Sequence, residues 1–473
     1  MTTSTQKEIN ILLLGETGVG KSTFINALRN YLKFKTLDEA LYGEMELLIP
    51  SKFVITNEDY EETTIELGDD SNENFENVGM SATQSCREYN FNYDSNTIVR
   101  FIDSPGIGDT RGIDKDKENL ENILKFIRNY DYLNGICILL KPNIPRLTVL
   151  FKFCIQELLS HLHKSAKDNI VFCFADCRGT LYRPGQTIQP LKEQLKILKQ
   201  RSSVEIKTNK ETMYCFDNES FRFLAASKNK VHFDDMDREN FAESWKRSVA
   251  ESVRLLQHLG FRNPHKVQDT LTLNDARNVV LNLARPLAVM QQNIQTNVKM
   301  VEDHQNVIDN CIEFIQELKK RLYIPRQFLE PKQQDIPESE SSIKGCKQRL
   351  KQLESEQKKI TEINICFAKF LSQNAIVIFN DSYAEYLEHF IHEEKIKKSA
   401  DPANYNNEIL EGLERTKKEY LEKIRIIKEA IETSYSSEDK ITTEHIERYE
   451  KELYLILFEN QWVNLLKYTQ ISI

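Results

Sequence analysis

The sequence predicts an α/β domain built on a mostly parallel sheet, followed by an all-α half. Three observations lead there. A strand–loop–helix unit occupies 9–32, two alternating strands meet near residue 95 and end on an acid at 103, and heptad spacing sets in after 273. The chain has 473 residues, enough for two or three domains.

The first unit opens with "INILLLG" at 9–15, an apolar run of strand length. It enters Gly15-Glu16-Thr17-Gly18-Val19-Gly20-Lys21-Ser22-Thr23, and "TFINALRNYL" continues with Phe24, Leu28 and Leu32 four apart. Glycines at these spacings let backbone N–H groups turn inward around phosphate oxygens, and the following helix N-terminus adds its partial positive charge. Lys21 is placed to reach the β- and γ-phosphates, and the Ser22 hydroxyl to ligate Mg²⁺. A chance glycine-rich turn is the alternative, and the flanking strand and helix argue against it. This element does not separate GTP from ATP.

A long insertion follows, about 35–80. "LLIPSKFVIT" at 47–56 contains an expected strand. Residues 57–76 hold nine acids and no Lys or Arg, a composition expected to be solvated and unstructured. A docking loop for a basic partner is the functional alternative.

"CREYNFNYDSNTIVRFID" at 86–103 alternates and predicts a hairpin turning at "YDSN". Asp103-Ser104-Pro105-Gly106 closes the second strand. An acid there can hold Mg²⁺ through a water, and Gly106 can offer a bare N–H to a γ-phosphate. Glycines 106, 108 and 112 suit a segment that moves. Upstream, Thr83 is the candidate hydroxyl to close over Mg²⁺, with Ser81 and Ser85 as competitors and a turn hydroxyl as the plain alternative.

"GETGVGKST", "SATQSC" and "FIDSPGIGDTRG" resemble the septin-like branch of P-loop GTPases, which includes septins, the immunity-associated GTPases and the chloroplast-import receptor GTPases. The Ser-x-Thr-x-x-Cys pattern is most similar to the immunity-associated group. The resemblance spans roughly 8–225 and does not extend to the C-terminal half. It implies a three-layer α/β/α P-loop GTPase fold, mostly parallel with one antiparallel strand. It also implies GTP or GDP bound with Mg²⁺. Residue by residue, it assigns Gly15, Glu16, Thr17, Gly18, Val19, Gly20, Lys21, Ser22 and Thr23 to the phosphates. Ser22 and Thr83 go to Mg²⁺, with Asp103 behind a water, and Gly106 goes to the γ-phosphate. It further implies G domains that pair or polymerise, so that Arg111 can reach a partner's phosphate as an arginine finger; a solvent-facing arginine is the alternative.

The base site departs from the family pattern. Guanine is normally read by Asn/Thr-Lys-x-Asp after a buried strand. Here the strand is "NIVFCF" at 169–174, and Ala175-Asp176-Cys177-Arg178 follows. Arg178 cannot accept a hydrogen bond but can stack on a base or meet a ribose or phosphate, and Asp176 serves guanine only with a shifted register. A second element, "TMYCFDNESFRFLAA" at 212–226, resembles the base-contacting segment of the immunity-associated group. It offers Asn218, which either meets the base or caps the next helix. The loop 177–190, with Arg178, Tyr182 and Arg183, is a candidate nucleotide lid or dimer contact. Ile107 follows Gly106 where some GTPases carry a water-positioning glutamine, so slow hydrolysis that rises on self-association is expected. Two other readings stay open: a nucleotide-stabilised assembly protein with negligible turnover, and a P-loop ATPase.

The G domain is expected over 1–262, its last helix near 238–258 leading into a linker at 258–270, and an elongated helical domain over 273–473. Heptad seams run through 294–322 and 343–371. Breaks at 323–342, with three prolines, and at 399–407, with one, separate them from each other and from helices at about 408–434 and 443–468. Folding back into a bundle is the reading that the prolines favour over an intermolecular coiled coil. This half is a docking arm or assembly surface for a protein partner, with no catalytic cluster.

The net charge of -9 and pI near 5.7 argue against broad nucleic-acid binding. Nine scattered cysteines suggest reduced thiols, and His161 and His163 lack a nearby third metal ligand in sequence. No secretory signal, lipidation motif or membrane span is visible. A cytoplasmic protein with at most peripheral membrane contact is expected.

Overall fold

The computed structural model describes residues 7–56, 60–68, 83–108, 113–144, 149–319, 330–380, 382–400, 402, 405–434 and 440–459. In chain order its elements begin with β1 (Lys7–Gly15), α1 (Lys21–Lys33), α2 (Leu37–Tyr42), β2 (Ser51–Thr56), β3 (Glu62–Leu67), β4 (Arg87–Asp94) and β5 (Thr97–Asp103). They continue with α3 (Ile113–Ile127), β6 (Tyr132–Leu133), β7 (Gly135–Leu140), α4 (Val149–Ser160), β8 (Ile170–Phe174), α5 (Ile188–Ser202), β9 (Met213–Cys215), α6 (Glu219–Lys228) and α7 (Asp235–Phe261). Then come β10 (His265–Lys266), α8 (Val267–Lys319), α9 (Glu330–Asn374), α10 (Ser382–Ala400), α11 (Asn407–Ser434) and α12 (Thr443–Glu459).

The main sheet has the order β4-β5-β1-β7-β8-β9 and is parallel except for β4, which pairs antiparallel with β5 at the edge. The parallel strands are apolar at nearly every position because both faces are covered. On one face Ile11, Leu13, Val99, Phe101, Leu139 and Cys173 join Phe24 and Leu28 of α1 and Leu255 and Leu259 of α7. The opposite parity, including Leu12, Ile102, Ile138 and Phe172, is equally buried. Two helical layers thus enclose the sheet, a mixed α/β arrangement with one antiparallel pair that is followed by a helical region.

Several expectations need correction. The acidic run 57–76 is not uniformly unstructured: β3 lies within it and pairs antiparallel with β2. Ile65 and Leu67 turn inward while the acids of the strand stay outside, so the period-2 pattern prevails over the charge. The 258–270 stretch is not a free linker, since His265 and Lys266 pair with Leu133 and Tyr132. The proline-rich break 323–342 is shorter than expected. Its described part from 330 is the start of α9, with Pro331 in the first turn, where no N–H is needed.

The chain divides into two compact units. The first comprises Met1–Leu273 and Asn374–Lys418, so α10 belongs with the sheet domain and not with a helical half running unbroken from 273 to 473. There Phe153 of α4 stacks on Tyr386 of α10 at 4.1 Å and 8°. Asn380 donates to the Phe153 carbonyl at 3.1 Å and to Glu157 at 2.7 Å. The second unit, Asn274–Gln373 with Glu419–Ile473, is helical in its described residues apart from 440–442. Leu353, Ile360, Phe367 and Leu371 of its 343–371 seam are buried within the single chain, whereas Val298 and Ile312 of the earlier seam are exposed. Among the described residues no helix is long and apolar enough to cross a membrane.

Where α8 begins, His265 is buried with its Nε2 2.8 Å from Thr270 Oγ1 and its Nδ1 3.0 Å from Ser165 Oγ; Ser165 Oγ also donates to Asp269 at 3.0 Å. Burial pushes the His265 pKa down from 6.5 to about 4, against the pull of Asp269 and with a push from His163, itself lowered by burial. A depressed histidine contributes stability that is full above pH 6.5 and is lost as pH falls towards 4, because the unfolded chain takes up the proton first. The first unit should therefore be about 2 kcal/mol less stable at pH 5 than at pH 7.5 through His265. Urea titrations at both pH values check this, and His265→Gln should flatten the difference.

Candidate functional site

β1 delivers the phosphate-loop motif to the C-terminal edge of the sheet. A side chain at Gly15 would place its Cβ 2.7 Å from the Leu139 carbonyl of β7, so only glycine fits there. Gly18 and Gly20 take φ of +72° and +95°, and α1 starts directly behind them. Lys21 is 7% exposed and donates Nζ to the carbonyls of Gly15 at 3.3 Å and Glu16 at 3.1 Å. Thr23 lies in the first turn of α1.

β5 brings Asp103 to the same edge. Its carboxylate has no solvent exposure. Ser22 Oγ donates to Asp103 Oδ2 at 3.0 Å, and Thr83 Oγ1 donates to the same oxygen at 3.3 Å. The two hydroxyls lie 3.1 Å apart. Burial raises the Asp103 pKa, while Lys21, the two hydroxyls and the Ser104 N–H pull it back. Residues separated by 61 and 81 positions in sequence thus converge as three hard oxygen donors beside a lysine. Ser81 lies outside the described residues, as does Arg111.

Beyond Asp103 the chain crosses the phosphate loop. Ile107 N–H donates to the Gly15 carbonyl at 3.2 Å, and Thr17 N–H donates to the Ile107 carbonyl at 2.9 Å. Gly106 is pressed so close that a Cβ would sit 2.5 Å from Thr17 Cα. The Ile107 side chain is 1% exposed and part of the core, so it presents nothing to a water. Two side chains of α3 hold this segment: Asp116 Oδ1 accepts the Gly108 N–H at 2.9 Å, and Asn119 Nδ2 donates to the Gly106 carbonyl at 3.0 Å. The sequence reading missed both. They belong to no motif, and the only trace is two polar residues three apart among the apolar positions of an amphipathic helix.

The expected base-contact residues follow β8 and β9. Asp176 sits in the left-handed region at φ +58°, and its carboxyl is pushed up to about 6 by burial first and then by Glu219. Arg178 turns away from it. The guanidinium stacks on Phe241 at 4.1 Å and lies 3.9 Å from the fully buried Asp217. Asn218 stands at the N-cap of α6 but does not cap it with its side chain. Asp217 Oδ1 instead accepts the Glu219 N–H at 3.2 Å, leaving the buried Asn218 Oδ1 with no protein partner. The Asn218 amide lies 3.3 Å from where a Gly20 Cβ would be, so it borders the phosphate loop. Thr17 Oγ1 is a second buried oxygen with no protein partner. Lys141, just past β7, was not anticipated; its charge pulls down the pKa of both Glu16 and Asp176. In the 177–190 loop, Tyr182 is covered by Arg247 of α7 at 4.6 Å.

No family model matches the sequence, and no curated protein matches it. Solved structures do. Toc33 from Arabidopsis thaliana in complex with Mg²⁺ and GMPPNP is similar at 12% identity and a TM-score of 0.31, over 54% of this chain and 85% of that one. A structure of the chloroplast translocon components atToc33 and psToc159, in which dimerization is important for GTPase activity, is similar at 12% identity and a TM-score of 0.31, over 55% and 86%. A protein of Plasmodium falciparum described as nucleolar GTP-binding protein 1 is similar at 16% identity and a TM-score of 0.23, over 54% and 95%.

Proposed function

We propose that this chain is a guanine-nucleotide switch that binds GTP with Mg²⁺ and hydrolyses it slowly. The observation that carries the reading is the convergence of Ser22, Thr83 and Asp103 within 3.0–3.3 Å of one another beside Lys21, at the mouth of a phosphate loop. Three oxygen donors, one of them an acid with no solvent exposure, fit a hard divalent cation. Ser22 and Thr83 would hold Mg²⁺, with Asp103 behind a water. When bound, Mg²⁺ neutralises developing charge on the β- and γ-phosphate oxygens.

The chain's own groups do the rest. Gly15 to Thr23 supply inward N–H groups, with Lys21 shifting its ammonium from the loop carbonyls to the phosphates. Gly106 gives its N–H to the γ-phosphate, and its lack of a side chain permits the approach. Asp176 and Asn218 offer acceptors to the guanine N1 and N2 donors, and the unpartnered Asn218 oxygen supports this. Arg178, occupied by Phe241 and Asp217, serves as a support for the base loop. Since Ile107 is core, water positioning comes from elsewhere, and we assign it to a second copy paired through the G domain, with Arg111 reaching across. The same observation favours a second reading, a nucleotide-stabilised assembly protein with negligible turnover. The helical second unit is the surface for a protein partner. Eight described cysteines are free thiols, which fits a cytoplasmic setting.

Nucleotide extracted from the purified protein should be GDP or GTP, and phosphate release per molecule should rise with protein concentration. Lys21→Ala should weaken GTP binding by about 10- to 100-fold. Bound ATP sinks the guanine assignment, and concentration-independent release sinks the self-association. Gly106→Ala should cost about 1–3 kcal/mol by overpacking against Thr17 and weaken stabilisation by GTP more than by GDP, read by thermal unfolding with each nucleotide.

A further inference from the structure

We propose that Tyr386, supplied by α10 from far downstream in the chain, is a positioning residue for the switch segment 104–108, acting through Asp116. The proposal deepens the nucleotide-switch reading and rests on it for its functional meaning.

Asp116 is 2% exposed and bridges Gly108 and Tyr386. One carboxylate oxygen accepts the Gly108 N–H at 2.9 Å, and the other accepts the Tyr386 hydroxyl at 3.4 Å. Gly108 has φ +77°, two residues beyond the glycine assigned to the γ-phosphate. One turn along α3, Asn119 holds the Gly106 carbonyl. The backbone that must move with the γ-phosphate is therefore gripped by α3, and α3 is gripped by α10.

The position of Tyr386 does not depend on its hydroxyl. Its ring stacks on Phe153 and meets Phe390 edge-on at 4.9 Å, while Asn380 and the Lys152–Glu385 pair, 3.3 Å apart, fix the same segment to α4. Packing alone thus seats α10, leaving the hydroxyl available to set the Asp116 rotamer. Burial and the neighbouring Asp116 both raise the Tyr386 pKa, so the group remains a donor. A buried carboxylate that accepts from both groups couples them: displacing Gly108 alters the Tyr386 bond, and removing that bond loosens the hold of Asp116 on Gly108. In this arrangement nucleotide state is reported to α10, and whatever holds α10 biases the nucleotide site in return.

The test is hydrogen–deuterium exchange on the full chain. In the nucleotide-free protein, Tyr386→Phe, which keeps the ring and its stacking, should speed exchange across 104–108 by about threefold to tenfold. The melting temperature should barely change. Asp116→Asn, as a second variant, should do the same. In the wild type, Mg²⁺ with GMPPNP and Mg²⁺ with GDP should give different exchange across 382–391, and Tyr386→Phe should erase that difference. Unchanged exchange at 104–108 in both variants overturns the coupling. Failure of any nucleotide to bind overturns the functional reading instead, and the nucleotide-free arm still decides the role of Tyr386.

Discussion

A carboxylate with no solvent exposure ends β5, and the site is arranged around the need to satisfy it. An uncompensated buried charge is costly, yet replacing Asp103 by an apolar residue would remove the group that gathers the others. Ser22 and Thr83 donate to it, the Ser104 N–H donates to its second oxygen, and Lys21 lies close enough to favour the charged form. They come from three stretches of chain: residues 21–22, 83 and 104. Satisfying one buried acid therefore fixes the start of α1, the end of the insertion and the start of the switch relative to one another.

The sheet makes this possible through its order. β5 and β7 flank β1, so the phosphate loop emerges between an acid and a lysine, with the base loop one strand further. The approach is so close that glycine is required at 15 and at 106. The side chains of Asn26 tie the insertion to α1. Its Oδ1 accepts the Leu48 and Ile49 N–H groups at 2.9 and 3.0 Å, and Phe53 of β2 packs in one cluster with Ala27 and Tyr31 of α1. The same logic extends to α10, whose aromatic ring on Phe153 contributes about 0.5–1.5 kcal/mol beyond its buried area. That ring seats a hydroxyl beside the acid that holds Gly108.

Much of this was legible locally. The phosphate loop was readable because strand, glycines and helix are contiguous. The hairpin at 87–103 was readable because it alternates, and Asp103 because it closes an apolar strand. Thr83 was singled out from residue type and resemblance, and the structure sets it beside Ser22 and Asp103. The strand β3 was hidden by acids, although Ile65 and Leu67 kept the period. The place of Asn374–Lys418 in the first unit was not legible. Its anchor is a pair of aromatic rings 233 residues apart, and no periodicity records such a contact. Asp116 and Asn119 escaped for the same reason, since their partners are backbone groups of another segment. After β8, Asp176 and Arg178 broke the expected pattern. Arg178 packs on Phe241 beside Asp217, and Lys141 follows the neighbouring strand β7.

The most direct measurement is GTP affinity by calorimetry with Mg²⁺ and with excess chelator, in the wild type and in Asp103→Ala. If Ser22, Thr83 and Asp103 form a Mg²⁺–triphosphate site, chelation should weaken wild-type binding by about tenfold or more, and Asp103→Ala should bind weakly whether or not Mg²⁺ is present. Tight GTP binding that is indifferent to Mg²⁺ in the wild type, or an Asp103→Ala protein that keeps the full Mg²⁺ effect, would contradict the account.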